Sequence, residues 1–318
     1  MRLADNPALK KSAENGAVFP VYIWDDEECT EFATGGASRW WLHHSLIRLN
    51  ESLGGKLNIY RGNPKEILEK LVEAHTVHQV SWNHVYEPRK ISRDEVISEA
   101  LVKKGVEVNS FNGSLLWDPE EVLKADGTPY KVFTPFYKRG CLNAMPPRKP
   151  VKAIKPCCRQ DDYSVAIDEL ALLPEIPWDV EFSRHWNPGE DGAMTSLRHF
   201  LKSGIGDYKE GRNFPARKKT SRLSPHLHWG EISPNQVWYG ARELIPLKHV
   251  DVFCSELGWR EFSTSLLFHY PTLPTKNMNR KFDAFPWEDN DSGLQAWQKG
   301  MTGIPMVDAG MRELWRTG

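Results

Sequence analysis

The sequence predicts an α/β domain built on a doubly wound parallel sheet, followed by an all-α domain. Three observations predict it. Through the first 110 residues, short apolar runs alternate with stretches whose apolar residues recur at helical spacing. After residue 189 the strand pattern disappears. A chain of 318 residues also exceeds the roughly 250 to 300 that a single core serves.

The elements follow in order. "LADNPAL" reads as a loop and a helix with Pro7 in its first turn, a position where the missing N–H costs nothing. Such a helix normally follows a buried strand, and none precedes this one, so the sheet is expected to lack its first strand. "AVFPVYIW" (17–24), "KLNIYRG" (56–62), "VHQVSWN" (77–83) and "VEVNSF" (106–111) are rich in Val, Ile and aromatic residues and read as strands. Between them, 36–53, 64–75 and 89–104 carry helical periodicity, for example Leu42, Leu46 and Leu49. Strands alternating with helices of this length make βαβ units and a parallel sheet covered on both faces.

Residues 112–188 lose the alternation and accumulate proline, as in "MPPRKPVKAIKPCC", and read as a connector draped over the domains. From 189 to 318 the runs "GEDGAMTSLRHFLKSGI", "SPNQVWYGARELI", "VDVFCSELGWREFSTSLLFHY" and "IPMVDAGMRELWRTG" are helical. Ser233, with Gln236 three residues later, is a helix start of the capping-box kind. The expected division is 1–111, 112–188 and 189–318.

Composition narrows the function. No window approaches the ~18 to 20 apolar residues of a membrane helix, and no secretory leader pattern opens the chain, so a cytoplasmic monomer is expected. Five cysteines, with only Cys157 and Cys158 close together, fit neither a disulfide framework nor a zinc spacing, and no metal is expected. Basic and acidic residues balance at 41 to 42, yet Arg198 to Arg222 holds eight bases (Arg198, Lys202, Lys209, Arg212, Arg217, Lys218, Lys219, Arg222) against Asp207 and Glu210. That density suits a polyanion, although a solvated face has the same composition.

Two stretches could carry chemistry. "TSRLSPHLHWGEISP" (220–234) places hydroxyls and a guanidinium at a predicted helix N-terminus, where an anion is favoured; ordinary capping explains the same residues. "CSELGWRE" (254–261) puts Glu256, Trp259 and Arg260 on one side of a helix. A Glu256–Arg260 pair at i, i+4 would by itself contribute only ~0.3–0.5 kcal/mol on a surface. Phe262, Leu266 and Tyr270 already supply an apolar row elsewhere, so packing does not require the Glu-Trp-Arg side.

"TGIPMVDAGMREL" (302–314) is the signature pattern of the DNA photolyase and cryptochrome family, and the resemblance extends along the chain. "RLADNPAL", "YKVFTPFYKR" (130–139), "GRNFPARKKTSRLSPHLHWGEISP" (211–234), "SELGWREF" (255–262) and "LQAWQKGMTG" (294–303) occur in the family's order. The sequence most resembles class I cyclobutane pyrimidine dimer photolyases, and Glu256 separates it from (6-4) photolyases and many animal-type cryptochromes.

The resemblance implies an N-terminal antenna domain and a C-terminal helical domain that binds FAD. Tyr208, Thr220, Ser221, Arg222, Leu223 and Ser224 match FAD-holding positions, Arg260 matches one near the diphosphate, and Phe253 stands where the family has a flavin-site Trp. Arg212 matches a DNA-contacting cation. Glu256 and Trp259 match the lesion pocket, where the acid hydrogen-bonds a pyrimidine dimer beside the flavin and the indole packs on it. Trp287 matches the outermost tryptophan of an electron-transfer chain. A second chromophore, folate or deazaflavin, is left open, because Lys90 stands where folate-binding relatives carry an acid. The implied partner is DNA containing pyrimidine dimers. A signalling photoreceptor without repair, or a flavoprotein without photochemistry, are the other readings. Family segments that complete the flavin and lesion pocket lie beyond "ELWRTG". The chain is therefore expected to be a piece of a longer protein, inactive in repair as it stands.

Overall fold

The computed structural model describes residues 1–14, 16–25, 32–243 and 248–318. Its first part runs α1 (Pro7–Glu14), β1 (Val21–Trp24), α2 (Gly36–Ser52), β2 (Asn58–Arg61), α3 (Pro64–His75), β3 (Gln79–Asn83), α4 (Pro88–Lys103), β4 (Glu107–Phe111). Each predicted strand and helix is present. Local chemistry fixes the boundaries: Asn63 caps α3 by accepting from Lys65 N at 3.0 Å, and Pro64 occupies the first turn.

All strand pairs are parallel, with Val21 opposite Asn58 and Gln79 opposite Glu107. The single sheet expected from the sequence is, however, two sheets, β1–β2 and β3–β4. Between them lies a cavity of about 770 Å³, lined by Val21 and Ile23 of β1, Val80 and Trp82 of β3, Leu9 of α1 and Leu71 of α3. Each pair keeps its own core. Leu42, Leu46, Leu57 and Ile59 pack under one, and Val72, Ile97, Leu101 and Val106 under the other. The division has a simple cause: β1 and β3 both border the cavity, and among the described residues no strand lies between them to bond to both.

The second part contains α5 (Phe133–Pro135), α6 (Phe182–His185), α7 (Glu190–Ser203), α8 (Tyr208–Gly211), α9 (Ser224–His228), α10 (Pro234–Arg242), α11 (Lys248–His269), α12 (Asp291–Gln298) and α13 (Pro305–Thr317). The capping box forms as predicted, with Ser233 Oγ accepting from Gln236 N and Gln236 Oε1 from Ser233 N, both at 2.9 Å. The core gathers Phe200, Tyr208, Leu223, Trp238, Phe253 and Leu257. Residues read as connector also belong to it: Leu116, Trp117, Phe136, Tyr137 and Cys141 are buried in the same cluster. Gly258 of α11 faces the Tyr137 ring so closely that a Cβ there would collide with it. This close approach sets the position of α11.

A buried carboxylate joins the two parts. Glu231 accepts from Trp41 Nε1 of α2 at 3.0 Å and from Gly189 N at 2.7 Å, and lies 2.5 Å from His226 Nδ1. The opening "RLADN" adds to this seam. Leu3 N and Ala4 N donate to Glu190, and Arg2 donates to Gly230 O and Gly113 O. Among the described residues, no helix is long and apolar enough to cross a membrane, and no cluster of His, Cys, Asp or Glu could hold a metal ion. Cys29 lies outside the described residues.

Candidate functional site

The site grows from α11. Phe253, Glu256 and Arg260 are spaced by three and four residues and so share one stripe of the helix, with Trp259 at its margin. Glu256 and Arg260 do not pair along the helix. Glu256 forms its ion pair with Arg212, at the end of α8, each side chain about one third exposed. Arg260 turns the other way, where its Nη1 donates to Ser114 O at 2.6 Å and lies 3.3 Å from Glu261 Oε1. The guanidinium fork suits this divided duty, since its donors diverge in one plane.

Arg212 is also held from beneath. Its guanidinium sits 5.4 Å from the Tyr208 ring centroid. The hydrogen bond to Glu256 raises the Arg212 pKa further above its already high value, so it stays charged. Tyr208 packs edge-on against Phe253 (5.3 Å, 88°) and Phe200 (5.5 Å, 83°), and burial raises its phenol pKa despite the nearby cation. Tyr208, Arg212, Phe253 and Glu256 are thus one constellation.

Trp259 stacks on Phe133 at 3.8 Å and 10°, yet keeps 45% of its surface open. An indole held flat by one ring and open elsewhere is a ready stacking platform. Behind it Glu261 is buried, and its Oε2 accepts from Leu116 N at 2.9 Å and Trp117 N at 3.4 Å. Burial pushes the Glu261 carboxyl up to about 7, with Arg260 acting in the opposite direction. The sequence reading missed both Phe133 and Glu261. Phe133 lies inside the quoted "YKVFTPFYKR", and Glu261 directly follows Arg260, so the segments were legible while the contacts were not.

The segment 220–224 corrects one expectation. α9 begins at Ser224 and is only five residues long, too short for a strong N-terminal dipole. Any anion there would meet side chains rather than a helix dipole. Leu223 is buried in the core that includes Tyr208 and Phe253, which anchors the segment. The Thr220 and Ser224 hydroxyls have no partner among the described residues, and Ser221 Oγ accepts from Leu223 N at 3.4 Å. Arg222 has φ of 53° and lies 4.1 Å over the Trp186 ring. Trp287 stands apart: it is 82% exposed and touches Phe285, at 4.6 Å between centroids. Lys90 pairs with Glu87 at 3.2 Å, and its charge, after burial, helps hold the His228 pKa down.

The family model described as DNA photolyase matches residues 1–155, and that described as the FAD binding domain of DNA photolyase matches residues 253–318. Deoxyribodipyrimidine photo-lyase of Agrobacterium fabrum is 42% identical over the whole chain and 68% of its own length. The chain belongs to the DNA photolyase and cryptochrome family. Cryptochrome-2 of Arabidopsis thaliana is 34% identical, and the chain spans 55% of it. In solved structures, a bacterial class III photolyase from Agrobacterium tumefaciens superposes with a TM-score of 0.92 at 40% identity, covering all of this chain and 67% of that one. The matched photolyases thus extend for about another third of their length.

FAD is the cofactor of the matched domain, and the residues present suit it. The free hydroxyls of Thr220 and Ser224 and the cations Arg222 and Arg260 are the donors that a diphosphate needs. Tyr208 and Phe253 are buried and packed edge-on against each other, and the phenylalanine keeps an aromatic ring at its position.

Proposed function

We propose that the protein repairs cyclobutane pyrimidine dimers in DNA in a light-driven reaction. The observation that carries this reading is the grouping at α11. A carboxylate about one third exposed, Glu256, and a stacked, half-open indole, Trp259, stand on the same helix as Arg260 and Phe253, whose proposed partner is FAD. One wall therefore faces both cofactor and lesion. The α/β part (1–111) is proposed as the antenna domain and the helical part (189–318) as the FAD and lesion domain.

Reduced FAD, when bound and excited, supplies the electron that opens the dimer ring and takes it back afterwards. The protein's task is placement. A dimer inside a duplex cannot reach such a wall, so it must be extruded, as base-flipping enzymes do, and damaged pairs cost less to open. Trp259, backed by Phe133, offsets part of that cost by stacking on the extruded bases. Glu256 accepts a hydrogen bond from a base N–H and so orients the lesion. Arg212 and the other bases from Arg198 to Lys219 hold the flanking phosphates, which position without reading sequence. Thr220, Ser221, Arg222, Ser224 and Arg260 hold the cofactor, with Tyr208, Leu223 and Phe253 packed beside it. Exposed Trp287 is the proposed entry point for an electron from an external reductant.

The test compares light with darkness. The full-length protein that carries this sequence is mixed with a dimer-containing oligonucleotide, and dimers should disappear only under illumination; equal loss in both arms removes the reading. Glu256→Ala should depress repair about 10- to 100-fold, the value of one hydrogen bond to a charged acceptor at ~1.5–3 kcal/mol, with flavin content unchanged. The similarity to a plant cryptochrome keeps a signalling photoreceptor as the second reading. A protein that holds flavin but binds dimer-containing and undamaged DNA equally would favour it.

A further inference from the structure

We propose that Arg212 and Glu256 form a latch that couples capture of a DNA phosphate to release of the lesion-reading carboxylate. The inference rests on the lesion-pocket reading above. Its structural basis is an ion pair between two groups that would each need a different partner once DNA arrives. The residues are 44 positions apart, Glu256 on α11 and Arg212 just past the end of α8, so the pair is not a local helix contact. Each side chain is about one third exposed, which leaves the pair open to a competing anion. Beneath it, the Tyr208 ring carries the guanidinium at 5.4 Å and is itself fixed against buried Phe200 and Phe253. Arg212 can therefore exchange acceptors by moving its guanidinium across a ring that is itself held in place.

An exposed ion pair is weak, and a phosphate accepts the same bidentate geometry. When Arg212 turns to a phosphate, Glu256 loses its counter-charge and faces a polyanion. On undamaged DNA nothing replaces the lost partner, so opening the latch works against binding. With an extruded dimer, a base N–H replaces Arg212, and the penalty disappears. The pair thus discriminates by disfavouring the wrong ligand as well as favouring the right one. Both residues remain in contact in the free protein, so the effect is a difference between free and bound states, as coupling requires.

A double-mutant cycle reads this directly. Fluorescence anisotropy would give the affinity of the wild type, Glu256→Gln, Arg212→Ala and the double variant for two duplexes, one undamaged and one with a single dimer. Removing the Glu256 charge relieves repulsion from DNA in any background. If the latch operates, Glu256→Gln tightens binding of the undamaged duplex more when Arg212 is present than when it is Ala, by roughly fivefold, the upper range for an exposed pair. If Arg212 stays on Glu256 in the complex, it screens the carboxylate, and the tightening is then equal or smaller with Arg212 present; that result overturns the latch. No measurable binding of either duplex by the wild type overturns it too. The undamaged arm involves no dimer and reads the exchange of partners alone, whereas a wild type that fails to prefer the damaged duplex removes both the repair reading and the discrimination assigned to the pair.

Discussion

Replacing Glu261 with Gln should flatten the dependence of stability on pH between about 4.5 and 7. The wild-type carboxyl lies 3% exposed behind Trp259, and burial raises it from 4.5 to about 7. Between those values the unfolded chain has released its proton while the folded chain retains it. The folded state therefore binds more protons, and stability falls as pH rises across this window. At about 1.36 kcal/mol per pH unit, the gap corresponds to on the order of 3 kcal/mol. Arg260, 3.3 Å away, and the N–H groups of Leu116 and Trp117 favour the charged form and temper this, yet burial is the larger effect. His43, His44 and His228 act in the opposite sense. Burial lowers each of them, so the unfolded chain binds more protons near pH 6 and their contribution grows with pH. The comparison must therefore be wild type against Glu261→Gln, whose difference cancels the histidines. Urea denaturation at pH 5 and pH 7.5 measures it. The variant should lose less stability over that interval than the wild type, by on the order of 3 kcal/mol. Parallel curves would refute the claim that Glu261 is buried against its charge.

Gly258→Ala should destabilise by ~1–3 kcal/mol, because the new methyl meets the Tyr137 ring; helix propensity alone predicts a gain of ~1 kcal/mol, so a raised urea midpoint would sink the close-packing argument. Trp287→Phe should leave stability within ~0.5 kcal/mol, since the side chain is 82% exposed, while slowing photoreduction of the flavin; unchanged photoreduction would remove Trp287 from the proposed electron route.

What the sequence disclosed, and what it concealed, follows from the range of each signal. Strands and helices of the first part were legible because side-chain periodicity is set within a few residues, as with Leu42 and Leu46 on α2. The Ser233–Gln236 cap was legible for the same reason. The split of the sheet was half legible. The absence of a strand before α1 predicted a shorter sheet, but where the gap falls depends on which strands would have bordered it, and that is a matter of spatial order. Periodicity also suggested Glu256 with Arg260, because it reports only local neighbours, while the real partner is Arg212 on another helix. Family resemblance assigned both residues separate duties toward DNA without indicating that they meet. The meeting carries the mechanistic consequence. A cation that grips phosphate and a carboxylate that reads a base cannot fully serve both ligands while paired with each other. On these proposed roles, lesion recognition at α11 includes a step that separates Arg212 from Glu256, and the identity of the anion that separates them decides whether damaged and undamaged DNA are treated alike.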